Sequence, residues 1–368
     1  MTIVWSILGD YYLSGNIPDI LIPADDPMEV VIKIERSGYD DVIITEDHKP
    51  VDELGIFLNI RELVHNELKM LYETDDPFEL FPYYPQGKGF AKVTITPEGL
   101  AAKSFWTVKG SIDTEDKSFD FLDFLRNNIL SVGPQIRNVR GDEPVVFSFF
   151  SPEYFQVQVT AYNVGGSATQ EKTYFTENSR DQLYTFNATF DEVIEELWTG
   201  DTQITQLDFQ VQSLESSHKT YHMRLVKNED YEEFSDYFLF ENSIGGLDTI
   251  HLTGEKTEEL RHEYLRAKIR TSGEGTQENE YQTIPLTAFS KNTGWIYNEE
   301  QRRYILDLFA SAMRFHWFEQ QFRRIYVLDY EGKTTPGQLN SKQFTFAYSR
   351  QYTGHLPTRT DLGGASSG

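Results

Sequence analysis

The sequence predicts a mainly β chain with a few short helices: tandem β-sandwich-like domains followed by a C-terminal α+β domain. Three observations carry this expectation. Apolar and polar residues alternate with period two over several runs, the pattern of a strand with one buried and one wet face. Those runs are rich in β-branched and aromatic residues, and the 368-residue chain holds 26 Phe, 21 Tyr and 5 Trp, the residue types that strands favour. Glycine, asparagine, aspartate and proline separate the runs, as hairpins require.

Taken in order, Val30, Ile32 and Ile34 alternate with Val31, Lys33 and Glu35. The turn signal Ser37-Gly38 follows. Leu63, Val64, Leu68 and Leu71 form a stripe that predicts a helix over Arg61–Tyr72, and Phe121, Leu122, Leu125 and Ile129 predict another over Ser118–Leu130, with Ser118 as its cap. The apolar run Pro144–Phe150 has strand length, far short of a membrane span. Phe155, Val157, Val159 and Ala161 alternate with Gln156, Gln158 and Thr160, and the turn signal Gly165-Gly166 comes next. Val193, Ile194 and Leu197 predict a helix over Asp191–Trp198, and Ile204, Leu207, Phe209 and Val211 a further strand. The longest helix is predicted over Glu299–Phe315. Asn298 and Gln301 have capping-box spacing there, and Tyr304, Ile305, Leu308, Phe309 and Ala312 form one apolar face. Phe344, Phe346 and Tyr348 mark a closing strand.

These elements group into a first domain over 1–140, a second over 141–235, a C-terminal α+β domain over 236–360 and a flexible tail over 361–368. Residues 30–68 and 157–197 both run strand, glycine turn, strand, polar loop, strand and short helix, which suggests an internal repeat. The formal charge of −25 is unevenly spread: the net is −13 over 1–145, −14 over 146–255 and +2 over 256–368. The last third carries Arg261, Arg266, Arg270, Arg302, Arg303, Arg314, Arg323 and Arg324. Such an asymmetry suits docking of the last third on an acidic neighbour, another copy of the chain included.

Composition excludes several functions. With no cysteine there is no disulfide scaffold, thiolate metal site or cysteine nucleophile. The strongly acidic balance opposes binding to a phosphate backbone, so no nucleic-acid partner is expected. Met1–Asp10 lacks the basic start and long apolar core of a secretory signal, and no membrane-inserting run occurs. The expected location is the cytoplasm where the chain is made, or a particle assembled there. No phosphate loop, Gly-x-Ser-x-Gly elbow or dinucleotide fingerprint is present. His218 and His222, four apart on a predicted strand, lie too far apart for one ion. No cofactor, metal site or catalytic residue is expected, and the chain is read as not an enzyme.

The segments Phe238–Gly254 (FLFENSIGGLDTIHLTG) and Asn292–Ser311 (NTGWIYNEEQRRYILDLFAS), the closing Phe344–Tyr348 and the early Ser14–Asp19 (SGNIPD) carry a resemblance. Together they resemble tail-associated structural proteins encoded by phages and prophages of Bacteroidetes. The resemblance implies a β-rich virion component that works by protein–protein contacts with other structural proteins or further copies of itself. On the residues themselves, Asn242, Gly245 and Gly246 suit a tight turn, with Asp248 bonding to its amides; Asn292 and Gly294 suit a second turn. Arg302, Arg303, Arg314, Arg323 and Arg324 are the expected assembly surface. The alternative is a carbohydrate-binding or receptor-binding adhesin-like sandwich, extending to glycoside hydrolysis, with Tyr83 and Tyr84 stacking on a glycan.

Overall fold

The structure is a computed structural model. It describes residues 9–51, 55–69, 83–85, 89–114, 119–168, 171–177, 179–199, 203–228, 230, 232–270, 276–319, 321–330 and 340–349, without the side chains of 83–85, 262–270 and 276–286. Among these residues the chain is mostly strand with four short α-helices. The expected tail over 361–368 lies outside the described residues.

The first unit contains β1 (Tyr11–Leu13), β2 (Ile20–Ile22), β3 (Met28–Glu35), β4 (Val42–His48), β5 (Ile56–Leu58), α1 (Arg61–Glu67), β6 (Tyr83–Pro85), β7 (Phe90–Pro97) and β8 (Lys103–Val108). Its large sheet has the order β1-β8-β7-β3-β4, and β2 pairs with β5 in a small second sheet. The alternation on β3 faces Val30, Ile32 and Ile34 into the core between them. That core is largely aliphatic, joined by Ile20, Ile22, Ile56, Leu58, Val93 and Ile95. Each such side chain, fully buried, contributes roughly 1.5–3 kcal/mol.

After α2 (Phe121–Asn127), the second unit contains β9 (Ile136–Val139), β10 (Val145–Ser151), β11 (Phe155–Asn163), β12 (Lys172–Glu177), β13 (Gln182–Ala188), α3 (Phe190–Trp198), β14 (Ile204–Ser213) and β15 (Met223–Lys227). Its large sheet has the order β9-β15-β14-β11-β12, and its second sheet is β10-β13-β6. Apart from β6, which joins the second unit's small sheet, the topology of the first unit recurs strand for strand. In each, the first strand lies parallel to the last, the third and fourth form an edge hairpin, the second pairs with the fifth, and a helix follows the fifth. The likeness between 30–68 and 157–197 covers the middle of this unit, from its third strand to its helix.

The third unit is one seven-stranded sheet of order β17-β16-β20-β21-β22-β19-β18. Its strands are β16 (Asp236–Glu241), β17 (Leu247–Leu252), β18 (Lys256–Arg270), β19 (Thr276–Asn292), β20 (Arg314–Phe318), β21 (Gln321–Tyr330) and β22 (Gln343–Tyr348), with α4 (Glu299–Ala310) between β19 and β20. Both faces of this sheet are covered. Phe238, Phe240, Ile325, Phe344 and Phe346 pack with Tyr304, Ile305, Leu308 and Phe309 of α4. Leu239, Leu247, Phe315 and Phe322 face the other way, against Leu13, Phe90 and Val108 of the first unit and Val146, Phe150 and Leu183 of the second. One apolar cluster therefore ties all three units together.

The helices start where side chains satisfy their first amides; α3 ends at Trp198 as predicted, while α2 and α4 stop sooner than their apolar spacing predicts. Asp120 accepts from the Asp123 amide at 3.0 Å and caps α2; Ser118 lies outside the described residues. At α3, Thr189 and Glu192 form a complete capping box that the sequence analysis did not single out. At α4, Asn298 accepts from the Gln301 amide as expected, but the Gln301 side chain accepts from the Tyr297 amide instead of closing the box. The helix predicted to reach Phe315 ends at Ala310. Ser311 turns the backbone extended, and Arg314 reaches back to donate to the carbonyls of Leu308 and Phe309. That is the favourable place for a cation at a helix C-terminus. Helix α1 ends at Glu67 because Leu68 turns extended and is fully buried.

Candidate functional site

The turn at 242–248 sits at the junction of the three units. Gly245 has φ +90°, and a Cβ there would lie 1.3 Å from the Lys109 carbonyl oxygen; at Gly246 a Cβ would lie 1.9 Å from that of Leu130. Both glycines are required because backbone from the first and second units passes directly over them. Asn242 shapes the turn by accepting from the amides of Ile244 and Gly246, and its own amide donates to Leu130 and to Asp248. Asp248 does not bond the turn amides, which Asn242 already holds. It points across the junction instead. Fully buried, it accepts from Ser131 Oγ at 2.6 Å, Val132 N at 3.0 Å, Arg137 Nη2 at 2.9 Å and Asn242 Nδ2 at 2.8 Å. Tyr304 of α4 donates to the Thr249 carbonyl, and its ring lies beneath the Arg137 guanidinium. The ion pair links the units with every Asp248 contact made but with Arg137 Nη1 buried and without a hydrogen-bond partner among the described residues.

A second buried ionic cluster lies under β16. Asp236 accepts from Lys291 Nζ at 2.7 Å, meets His316 Nε2 at 2.8 Å and also pairs with Lys256. Burial pushes the Asp236 carboxyl up, but His316, Lys291 and Lys256 together hold it well below the usual carboxylate range. Burial lowers Lys291 against the pull of Asp236, and lowers His316 likewise. Tyr348 OH is 2.7 Å from His316 Nδ1, so both ring nitrogens are engaged.

Between the second and third units a cleft of about 290 Å³ is lined by Arg137, Glu143, His251 and Tyr304, among others. Burial pushes the Glu143 carboxyl up to about 8 and pulls His251 down to about 4. Burial therefore favours the neutral form of both groups. The two are 3.9 Å apart, beyond hydrogen-bond reach. Glu143 instead accepts from the Arg140 amide, and His251 lies 2.7 Å from Ser235 Oγ. Among the described residues no three His, Asp or Glu side chains converge as metal ligands.

The arginines predicted to form one surface are dispersed. Arg302 and Arg303 share Glu299 on α4, with Arg303 exposed. Arg314 closes the helix end. Arg323 pairs with Glu319 and lies over the Phe318 ring on the α4 side of the sheet, while its neighbour Arg324 is exposed on β21. Consecutive strand residues face opposite ways, so these two cannot share a face. Tyr83 and Tyr84 lie on β6 with their backbones opposite Phe186 and Thr185; their side chains are outside the described residues.

The feature that sequence analysis missed is the β18–β19 hairpin. Its 15- and 17-residue strands pair from Lys256↔Lys291 to Arg270↔Thr276. Strand β22 covers only Phe289–Asn292 of β19. From Glu259↔Ala288 outward the hairpin pairs with no other strand among the described residues. At about 3.3 Å per residue this is an arm of roughly 40 Å. Near its tip the register sets Arg266 opposite Glu280 and Lys268 opposite Glu278. No protein-family model matches the chain, and no curated protein matches it.

Proposed function

We propose that the protein is a non-enzymatic structural component that joins copies of itself, and through them a larger particle, by way of the β18–β19 arm. The observation that carries this reading is the arm's length beyond its sheet. A two-stranded ribbon alone is marginally stable in water, and its free edges offer unpaired amides and carbonyls to another chain. Charge favours a head-to-tail contact at the level of whole units: residues before 256 carry the acidity and 256–368 carry a net of +2, with Arg266 and Lys268 on the distal arm met across the ribbon by Glu280 and Glu278. A contact between two different surfaces propagates into rings or filaments. Arg303 and Arg324, both exposed, add positive charge to the same unit. Assembly of this kind fits the resemblance to tail-associated proteins of Bacteroidetes phages, and the buried charges described above serve as cross-links rather than as catalytic groups.

Size-exclusion chromatography with light scattering tests the proposal. The full chain is expected to associate with rising concentration at low salt and to dissociate as salt screens the contact. Replacing residues 261–287 by a short turn should leave a monomer whose thermal midpoint is unchanged. A full chain that stays monomeric at high concentration and low salt, or a shortened chain that associates equally well, overturns it.

A further inference from the structure

The root of the arm holds a groove that the assembly reading does not use. It is about 370 Å³ in volume, and among the described residues the only apolar side chain lining it is Trp295, 56% exposed. The rest of the lining is amide, hydroxyl, glycine backbone and one carboxylate, Glu255. We propose that this groove binds a neutral glycan, with a pyranose ring stacked by its C–H face on the Trp295 indole and its hydroxyls bonded by Asn292, Gln343, Ser290 and Ser341.

The lining selects this class. A protein partner anchoring here would bury apolar side chains against a single ring surrounded by polar groups, whereas an interface hot spot is a well-packed, desolvated pocket. A pyranose presents one apolar face and a rim of hydroxyls, the same composition as the groove. Glu255 in the groove and the formal charge of −25 disfavour acidic sugars. The polar groups are already oriented: Asn292 Nδ2 donates to Ser341 Oγ at 3.2 Å, and Gln343 Nε2 to Ser290 Oγ at 2.7 Å. A primary amide has two N–H donors and a carbonyl with two lone pairs; by valence Gln343 keeps one N–H and its carbonyl for a ligand, and Asn292, whose Oδ1 also accepts from the Gly294 amide, keeps one N–H and one lone pair.

The platform is fixed as well. Gly294 has φ +79°, and its amide donates to Asn292 Oδ1 at 2.8 Å. Thr293 N donates to the Lys342 carbonyl and Ile296 N to that of Asn340, both at 2.8 Å. Trp295 is therefore held between two anchored neighbours while its own side chain stays outside. A rigid aromatic loses little freedom on binding. This inference stands apart from the assembly reading, because the groove is complete in one chain.

A glycan array spanning neutral and acidic polysaccharides, followed by calorimetry on the full chain, tests it. The expected result is binding to a neutral polysaccharide, weakened at least tenfold by Trp295→Ala and by Gln343→Ala and largely retained by Trp295→Tyr. Should Trp295→Ala fail to fold, Gln343→Ala reads the same contact. Binding to acidic polysaccharides alone, no binding to any, or binding unchanged in Trp295→Ala and Gln343→Ala overturns the proposal. So does a Trp295→Ala variant that loses self-association and keeps no glycan phenotype, which would make the groove a protein interface.

Discussion

In the first unit the small sheet β2·β5 leaves Phe57 half in water, whereas in the second its counterpart β10·β13 is buried on both faces. The two units share a topology and differ in what lies outside it. Side chains of β10 point alternately to its two faces, as on β3, but both faces end in cores. Phe147 and Phe149 point into an aromatic core with Phe155, Phe186 and Phe209, and Val146 and Phe150 point into the cluster that meets the third unit. Both units meet the third, but the β2·β5 pair of the first is an outer end of the fold, while the β10·β13 pair of the second is a hub that faces the cluster shared by all three units. One strand plan supports either role, and the outward-facing residues of the second strand pair decide which.

The largest effect expected from breaking this difference is at the hub's ionic link to the third unit. Asp248→Ala leaves the buried Arg137 guanidinium without its counter-charge, which costs about 3–5 kcal/mol. Urea denaturation should show the loss, either as a lower midpoint or as a separate early transition of the third unit. A loss below about 1 kcal/mol would remove the junction from the account of what holds the units together.

A smaller and more direct comparison uses matched outward positions. Leu183 on β13 is fully buried in the cluster shared by the three units, and Phe57 on β5 is 49% exposed. Leu183→Ala is expected to cost about 2–5 kcal/mol, and Phe57→Ala no more than about 0.5 kcal/mol. Equal costs, measured by the same denaturation curves, would mean that the hub and end roles are not real.

Much of this was legible in the sequence where one face of an element is wet. Val30, Ile32 and Ile34, and Phe155, Val157 and Val159, showed their strands and their inward faces through period two. The run Pro144–Phe150 showed a strand but not its two cores, because a fully buried strand has no alternation to display. Helix α4 looked longer than it is because Met313 and Phe315 prolong apolar spacing into what became β20. Three of the four donors to Asp248, Ser131, Val132 and Arg137, come from more than a hundred residues upstream, and no local pattern links them to it. The glycan groove likewise needs Ser341 and Gln343 beside Asn292 and Ser290, an adjacency that exists only after β19 and β22 pair. The arm was hidden for a different reason. Strand length is visible in a sequence, but the length of the neighbouring strand that covers it is not.

The smallest effect distinguishes the hub by pH. Glu143 precedes β10, and the cleft it lines with His251 belongs to the joint between the second and third units. Its carboxyl is raised to about 8 in the folded chain by burial, from an ordinary 4.5. Between those values the folded state keeps a proton that the unfolded state has lost, so this group's contribution is full below about 4.5 and is lost as pH rises toward 8. His251, lowered by burial to about 4 from 6.5, works in the opposite sense: its contribution is full above about 6.5 and is lost as pH falls toward 4. The two slopes offset each other between roughly 4.5 and 6.5, and only that of Glu143 remains from 6.5 to 8. Over that interval the wild-type chain is expected to lose on the order of 1–2 kcal/mol from this group, at about 1.4 kcal/mol per pH unit. Glu143→Gln keeps the shape and removes the titration. Its stability should therefore stay level where the wild type declines, and overtake it by pH 8. Parallel curves for the two proteins would place the Glu143 carboxylate in water, and with it the cleft outside the joint.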